Sequence, residues 1–327
     1  MTLAFALLIV FSVVLFLLLL GSLVLYVFGI RFFGIIFRRP APRPHVDRSP
    51  KRISQDTIYG RGRNWFYAKR MEFQNLRMRS YDGLRLFAYY RPAQRKKCKK
   101  LVILVHGYQD HPSIMGAFAQ LYLEKTDCHI LIPHLRAHGM SYGNCVGYGL
   151  SDSQDILMWA DDMKKRLGDT IEIVFHGRSM GAAAVLMAAG SKQIPAGLKG
   201  VISDSSFDSL ANQLDETFYG SFFYKRRFVR QVVNHLLKTR EGYSISKISP
   251  VFYASSIEVP VLLFHGKDDA VTPVNMSWSI YDKVPAPKRM VAIDGARHGM
   301  CYNDATKRYS MELENFLQIC GFLKEEK

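Results

Sequence analysis

The sequence has few cysteines, and they form no recognisable pair. Five are scattered along 327 residues without a C-x-x-C spacing: Cys98, Cys128, Cys145, Cys301 and Cys320. An odd and dispersed set excludes a disulfide framework and a zinc site, and it indicates free thiols. Internal repeats and low-complexity tracts are also absent. A chain of this length can bury a large core in one or two domains.

Acidic residues are scarce in one segment only. From Arg31 to Lys100 the chain has 20 Lys or Arg and 4 Asp or Glu, a difference that equals the net charge of +16 of the whole protein. The remaining 24 basic and 24 acidic residues cancel each other. No nucleic-acid-binding motif accompanies this charge, so nucleic acid is excluded as the expected partner. Anionic lipid headgroups attract such a basic segment by about 1 kcal/mol per side chain, so a membrane surface is expected instead.

Charged side chains are missing altogether from Thr2 to Ile30. These 29 residues exceed the roughly 20 that cross a hydrocarbon core, so we predict one transmembrane helix over 2–30. A cleaved signal peptide is disfavoured because the apolar run is too long and lacks a basic start and a small-x-small cleavage site. Arg31, Arg38 and Arg39 follow the span. By the positive-inside bias, the expected localisation is a single-pass membrane protein with a cytoplasmic domain.

Residues 31–70 are predicted to be a basic juxtamembrane linker. From Pro40 to about Arg70 the sequence is rich in Pro and Arg, and it shows neither helical nor strand periodicity. The folded domain is then expected over 71–327, with an insertion at about 205–255.

Short apolar runs bounded by turn residues follow. They read LVILV (101–105), HILIP (129–133), IEIVF (171–175), VISD (201–204), VLLF (261–264) and MVAID (290–294). Near-continuous apolar strands are typical of a parallel sheet buried on both faces, and helical stretches separate most of them. An antiparallel arm, YDGLRLFAYYRP (81–92), precedes them. This alternation predicts an α/β doubly wound fold.

One gap interrupts the alternation. About 50 residues between Ser205 and Ser255 contain no clear strand, and their pattern is helical, basic and aromatic. The aromatic residues are Phe218, Tyr219, Phe222, Phe223 and Tyr224. An insertion at the carboxyl edge of such a sheet, where ligands bind, predicts a helical lid.

The stretch HGRSMG at 176–181 joins a strand-like run to a block of small helix formers. A sharp turn there lifts Ser179 above the carboxyl edge of the sheet. Gly177 and Gly181 are required because side chains would collide with the neighbouring strand and helix. The helix N-terminus supplies backbone N–H groups and a partial positive charge beside Ser179. In this context the pattern G-x-S-x-G indicates a nucleophile elbow.

A serine hydroxyl needs a base to remove its proton, and the base needs a carboxylate to orient it. The chain order around such an elbow is serine, acid and histidine. After His265, which lies at a strand end, the only histidine is His298, in DGARHGM. The preceding loop, in VLLFHGKDDAVTP, offers both Asp268 and Asp269 as the acid.

Acyl transfer also needs two N–H donors for the oxyanion. We predict the backbone of Met180, directly after the nucleophile, and that of Tyr108, in the loop HGYQDH after an early strand. Because main-chain atoms act here, these two side chains carry little information.

Several other polar residues have structural interpretations. His134 and His138 are spaced like a metal pair, but no third ligand accompanies them, so we predict no metal site. His106 and His265 each precede a glycine at a strand end and are interpreted as structural. Arg178 has two open interpretations: it lines the pocket and attracts an anionic group, or it only covers the turn at Ser179.

These motifs resemble the α/β-hydrolase superfamily. HGYQDH, LRAHGMS, HGRSMG, VPVLLFHGKDDAVTP and GARHG occur in the order of that family over roughly Met71 to Leu323. The chain is similar to membrane-anchored bacterial serine hydrolases of the esterase and serine aminopeptidase branch. The resemblance implies an α/β-hydrolase fold, with a mostly parallel eight-stranded sheet, helices on both faces and a lid. It implies no metal or organic cofactor.

The resemblance also implies a triad of Ser179, Asp269 and His298. In such sequences the acid lies four residues before the loop proline, here Pro273, which favours Asp269 over Asp268. One departure is that the family usually has Asp where this chain has His134, after HILIP. That difference affects the charge of the pocket and leaves the triad intact.

The function expected is hydrolysis of ester or related acyl bonds through an acyl-enzyme, on a small-molecule or lipid-like substrate. A serine aminopeptidase and an acyltransferase use the same triad and remain alternatives. A non-catalytic membrane scaffold is an alternative of another class.

Overall fold

Eight strands form one sheet in the computed structural model, which describes residues 3–39, 54–217 and 223–323. The strands are β1 (Gln74–Arg79), β2 (Arg85–Arg91), β3 (Lys100–Val105), β4 (His129–His134), β5 (Glu172–Arg178), β6 (Leu198–Asp204), β7 (Val261–Gly266) and β8 (Lys288–Ile293). Their order is β1-β2-β4-β3-β5-β6-β7-β8. Strand β2 is antiparallel to both its neighbours, and the other pairs are parallel. The predicted mostly parallel eight-stranded sheet is confirmed.

Helices connect most of the strands. They are α1 (Leu3–Phe37), α2 (Ile58–Ala68), α3 (Gly116–Lys125), α4 (Leu150–Leu167), α5 (Met180–Ala189), α6 (Leu210–Thr217), α7 (Phe223–Glu241), α8 (Pro250–Ala254), α9 (Asn275–Lys283), α10 (Cys301–Asp304) and α11 (Thr306–Ile319). Short 3₁₀ turns lie at Arg70–Glu72, Pro112–Met115 and Ile245–Lys247.

The central strands are apolar on both sides because two layers of helices cover the sheet. In β3, Leu101 and Ile103 belong to one hydrophobic cluster, whereas Val102 and Leu104 belong to the other. Residues of α4, α5 and α9 complete the first cluster, and residues of α2, α3 and α11 complete the second. This two-layer burial is the reason that these strands read as continuous apolar runs.

Helix α1 is long and apolar enough to cross a membrane. Most large apolar side chains from Leu3 to Phe28 are exposed, whereas Phe33 and Phe37 are only 4% and 0% exposed, and Ile35 between them points outward at 72% exposure. The hydroxyl of Tyr148 donates a hydrogen bond to the carbonyl of Ile36 at 3.1 Å. The helix therefore continues seven residues past the predicted end at Ile30, because its last turns pack against the folded domain.

The prediction of an irregular linker over 31–70 is corrected in two places. Residues 31–37 belong to α1, and residues 58–68 form α2. The side chain of Thr57 caps α2 by accepting a hydrogen bond from the N–H of Gly60 at 3.1 Å. Two glycines disfavour a helix by propensity, but a Cβ on Gly62 would lie 2.3 Å from backbone atoms of Ala117. The close crossing of α2 and α3 thus requires glycine at position 62, the same residue type whose low helix propensity prevented the prediction of α2.

The predicted lid region contains α6, α7 and α8. Helix α7 packs against the last turns of α1, where Val232 lies beside Gly29. The guanidinium of Arg240 lies 5.3 Å from the centre of the Phe33 ring, across this contact. The aromatic residues that suggested a lid over an apolar ligand, Phe218, Tyr219 and Phe222, lie outside the described residues, as do the side chains of Phe223 and Tyr224.

Candidate active site

Ser179 lies at a sharp turn between β5 and α5. Its backbone has φ 55° and ψ −121°, a conformation that L-residues rarely adopt. Its N–H donates to the carbonyl of Asp204, at the end of β6, at 2.7 Å. A Cβ on Gly177 would lie 2.2 Å from the carbonyl oxygen of Gly181, and one on Gly181 would lie 2.2 Å from that of Val105. Both positions therefore exclude a side chain, as the spacing of the motif predicts.

The structure brings Ser179, His298 and Asp269 together in one chain of hydrogen bonds. The hydroxyl oxygen of Ser179 lies 2.8 Å from Nε2 of His298. Nδ1 of the same ring lies 2.7 Å from Oδ2 of Asp269. A ring that donates from Nδ1 to the carboxylate keeps Nε2 free to accept the serine proton.

Asp269 is enclosed by donors, and Asp268 is not. Oδ1 of Asp269 accepts the N–H groups of Val271 and Thr272, each at 2.9 Å. Its side chain is fully buried, whereas Asp268 is exposed. Burial alone would raise the pKa of Asp269, but hydrogen bonds from His265 and His298 outweigh it and hold that pKa below its ordinary value. The carboxylate is therefore ionised at neutral pH.

Two residues support Asp269 that sequence reasoning left out of the site. The hydroxyl of Thr272 donates to Oδ2 at 2.9 Å, and Nε2 of His265 lies 3.2 Å from the same oxygen. His265 is itself held by Ser277, whose hydroxyl lies 2.6 Å from Nδ1. A threonine three residues after an aspartate is a short-range signal for such a turn, but its role depends on where the loop lies.

The loop that carries Tyr108, one of the two predicted oxyanion donors, lies next to the serine. Gly107 touches it directly, since a Cβ on Gly107 would lie 3.1 Å from Cβ of Ser179. Tyr108 follows Gly107, and Met180 begins α5. Within the described residues the N–H groups of Tyr108 and Met180 have no hydrogen-bond partner. An N–H group that is to bind an oxyanion must be unpaired in this way.

The side chain of Tyr108 connects this loop to α1, which sequence reasoning did not foresee. Its ring stacks on that of Tyr148, with 5.5 Å between the ring centres. Its hydroxyl donates to the carbonyl of Ile35 at 3.5 Å. The ring of Tyr148 packs in turn on Phe37, at 4.8 Å. The last turns of the apolar helix therefore contact the loop that carries a predicted oxyanion donor.

Three further histidines that the sequence singles out each accept a backbone N–H group. Nε2 of His106 accepts the N–H of Leu135 at 3.2 Å, and Nε2 of His138 accepts that of Gln109 at 3.1 Å. Burial lowers the pKa of each of these two rings to about 3, so both stay neutral and can accept. Nδ1 of His134 accepts an N–H from Met140 at 3.1 Å. Across the described part of the chain no cluster of three or more His, Cys, Asp or Glu is placed to hold a metal ion.

Comparison with known proteins identifies a family over half of the chain and relatives over about two thirds of it. The sequence profile of the prolyl oligopeptidase family matches residues 147–321, just over half of the chain. The uncharacterised Bacillus subtilis protein YqkD is 28% identical over 216 residues, which cover 66% of this chain and 70% of that protein. The uncharacterised Escherichia coli K12 protein YfhR is 25% identical over 229 residues, 68% of this chain and 72% of that protein.

Two solved structures from archaea are similar in fold. An esterase of Pyrococcus furiosus, Pf2001, superposes with a TM-score of 0.59 and 17% identity, and covers 85% of this chain and 99% of its own. An acylaminoacyl peptidase of Pyrococcus horikoshii has a TM-score of 0.58 and 22% identity, over 78% of this chain and 42% of its own. At such identities the likeness is one of fold, and it confirms the predicted α/β-hydrolase architecture.

Proposed function

The chain belongs to the prolyl oligopeptidase family and is a serine hydrolase of the α/β-hydrolase type, and on that premise we propose that it cleaves acyl esters on a triad of Ser179, His298 and Asp269. The observation that carries the proposal is the continuous pair of contacts from the serine hydroxyl to His298 and on to Asp269, at 2.8 and 2.7 Å. These distances lie within the hydrogen-bond reach that proton transfer requires.

The proposed reaction has two acyl transfers. The hydroxyl oxygen of Ser179 attacks the carbonyl carbon while its proton passes to Nε2 of His298. The oxyanion that forms accepts hydrogen bonds from the N–H groups of Tyr108 and Met180. When the intermediate collapses, His298 returns the proton to the leaving alcohol. Water then attacks the acyl-serine with the same base, and Asp269 orients the imidazolium throughout.

We propose an apolar, membrane-derived acyl group as the substrate class. The support is the position of Tyr108, whose hydroxyl contacts the carbonyl of Ile35 on α1. Ile35 follows Phe28, where the continuous exposed apolar stretch ends, by seven residues, or about 10 Å along a helix. The loop that carries the proposed oxyanion donor therefore lies close to the proposed membrane surface, which supports a lipid-like ester as the substrate.

The membrane arrangement is part of the same proposal. Residues 3–28 span the bilayer once, and the end of α1 docks on the hydrolase domain. Arg31 and Arg38 are exposed beyond the span and favour a cytoplasmic domain that also contacts anionic headgroups. Protease treatment of intact cells tests the orientation, since cleavage from outside within the domain would reverse it.

A peptidase is the second candidate, because the matching family takes its name from an oligopeptidase. The triad chemistry is the same, and the difference lies in the leaving group and in the recognition of the substrate. An aminopeptidase also needs a carboxylate to bind the free substrate amine, and no such subsite stands out in the sequence of the lid.

Labelling with a fluorophosphonate tests the nucleophile. The detergent-solubilised protein is expected to take up one adduct, and Ser179→Ala is expected to abolish it. Ser191→Ala, at the opposite end of α5, is the matched control and should label like the wild type. A folded protein that does not label, or labelling that persists in Ser179→Ala, would favour a non-catalytic scaffold or another nucleophile.

A substrate panel separates the esterase from the peptidase. It contains p-nitrophenyl esters of two to sixteen carbons, presented in mixed micelles, beside free and N-acetylated aminoacyl p-nitroanilides. The proposal expects kcat/KM to rise with chain length and to exceed that for any anilide. Higher activity on the anilides would replace the esterase with a peptidase, and an acceptor-dependent rate in added alcohol would indicate an acyltransferase.

A further inference from the structure

Arg178 precedes the serine, and its guanidinium is occupied by protein groups. Nη1 donates to Oδ2 of Asp110 at 2.7 Å, and Nε donates to the carbonyl of Gly299 at 3.1 Å. The ring of Tyr59, on α2, lies 5.0 Å below the guanidinium carbon. The side chain is only 12% exposed. These contacts connect the turn at Ser179 to three other segments of the chain.

The first of these segments is the oxyanion loop, residues 106–111. Oδ2 of Asp110, which accepts from Arg178, also accepts the N–H of Gly107 at 3.2 Å. On the other side of Tyr108, the N–H of Gln109 donates to Nε2 of His138. The peptides on both sides of Tyr108 are thus tied down, while its own N–H is left without a partner among the described residues.

The second segment carries the base. Gly299 follows His298 in the chain, so the hydrogen bond from Arg178 to the Gly299 carbonyl fixes the backbone next to the imidazole. The N–H of Gly299 donates to the hydroxyl of Ser205 at 3.2 Å, which holds the preceding peptide, the one that joins His298 to Gly299. One guanidinium therefore contacts both of the loops that meet the serine.

Arg178 and Asp110 form an ion pair, and the pair as a whole adds no net charge to the site. Burial opposes the charge of Arg178, but the carboxylate of Asp110, together with Tyr59 and Asp204, outweighs burial and holds the pKa of Arg178 above its ordinary value. An arginine whose charge is matched by a partner at 2.7 Å is a poor receptor for a substrate anion. Of the two interpretations of Arg178, anion attraction is therefore the weaker one.

We propose that Arg178 and Asp110 are a positioning pair, which holds the oxyanion loop and the His298 loop at the places that acyl transfer from Ser179 requires. This inference rests on the proposed function, because it assigns a role within that reaction. The pair touches no reacting atom, and its effect on catalysis passes through the N–H of Tyr108 and through the ring of His298.

The experiment compares Arg178→Met, Asp110→Asn and their double variant with the wild type on the best p-nitrophenyl ester. Arg178→Lys is the conservative variant, since an ammonium can keep Asp110 but not reach both partners. Arg289→Met is the matched control: it removes an ion pair of similar length, 2.7 Å to Glu312, far from the serine. Each variant is also tested against a trifluoromethyl ketone, which forms a tetrahedral oxyanion adduct with the serine.

Loss of one oxyanion donor outright lowers kcat by about 10²–10³. A loosened loop loses less, so we expect each single variant to lower kcat by about 10–100-fold with KM within about threefold. Affinity for the ketone should fall by the same factor as kcat/KM. The kcat of the double variant should lie within about threefold of the kcat of the less active single variant, because the two groups act as a unit. Arg178→Lys should recover part of the loss.

Three results would overturn the proposal. A raised KM with unchanged kcat would make Arg178 a substrate-binding group. Losses that follow the melting temperature, with Arg289→Met equally impaired, would make the pair merely structural. If the losses of the two single variants multiply in the kcat of the double variant, Arg178 and Asp110 act independently and are not a pair. If the wild type itself takes up no fluorophosphonate, the proposed function fails first, and that outcome is distinct from all three.

Discussion

Replacing Asp269 by asparagine separates the electrostatic role of the carboxylate from its shape. Oδ1 accepts two backbone N–H groups, from Val271 and Thr272, each at 2.9 Å. An amide NH₂ cannot take that place, so the amide oxygen must occupy it and the NH₂ must occupy the position of Oδ2. There it meets Nδ1 of His298 at about the present 2.7 Å.

Two donors then face each other, and the imidazole relieves the conflict by moving its proton from Nδ1 to Nε2. In that tautomer Nε2 is a donor, and it can no longer accept the proton of Ser179 across the 2.8 Å contact. The wrong tautomer costs about 10⁴-fold in kcat in a serine protease triad, which corresponds to about 5.5 kcal/mol. We expect a loss of the same order in Asp269→Asn, with little change in KM.

The assay is kcat/KM for a soluble p-nitrophenyl ester, with the fraction of folded protein checked by its melting temperature. Asp268→Asn is the matched control, because it makes the same change one residue earlier on an exposed side chain, and it should stay within about twofold of the wild type. If Asp269→Asn keeps more than a tenth of the activity, or if Asp268→Asn loses as much, the hydrogen-bond argument is wrong.

Three further predictions concern the elements around the site. Deletion of residues 1–28 should leave kcat on a soluble ester unchanged. Deletion of 1–39 should lower kcat at least about tenfold, because Tyr108 and Tyr148 then lose their carbonyl partners on α1. Equal activities of the two deletion variants would contradict this prediction. Gly181→Ala should lower the free energy of unfolding, measured in urea, by about 3 kcal/mol or more, because the new Cβ would lie 2.2 Å from a backbone oxygen. Gly34→Ala is the control and should be near neutral, because a Cβ there meets nothing within 4 Å. Burial raises the pKa of Asp152 from 3.8 to about 6, so the native state binds more protons than the unfolded state in that window and stability falls as the pH rises through it. In denaturant titrations, Asp152→Asn should therefore raise the free energy of unfolding by up to about 3 kcal/mol above pH 7 but by less than about 1 kcal/mol at pH 4, and an equal gain at both would refute the assignment.

Much of the fold and of the candidate site can be predicted from short stretches of sequence. The elbow around Ser179 needs only a strand, two glycines and a helix of small residues, and all of these are adjacent in the chain. The central strands can be recognised in the sequence because both faces of the sheet are buried, which makes each of these strands a continuous apolar run. The base at His298 follows from the chain order and from the scarcity of histidine after the last strands.

The choice between Asp268 and Asp269 is of another kind. The two are neighbours of identical chemistry, and only the path of the loop after β7 buries one and exposes the other. Local pattern cannot predict this, because it depends on where His265, Thr272 and His298 lie in space. The resemblance to a family was needed to choose Asp269 from the sequence.

Helix α2 and the end of α1 depend on tertiary structure in the same way. Gly60 and Gly62 weaken the local preference of α2 for a helix, and the packing of α2 against α3 outweighs that preference. The apolar run of α1 has the composition of a membrane span, but nothing in it indicates that Phe33 and Phe37 dock beside Tyr148. Propensity and periodicity act over a few neighbouring residues, whereas these contacts join residues more than fifty positions apart in the chain. Such pairings exist only once the chain has folded.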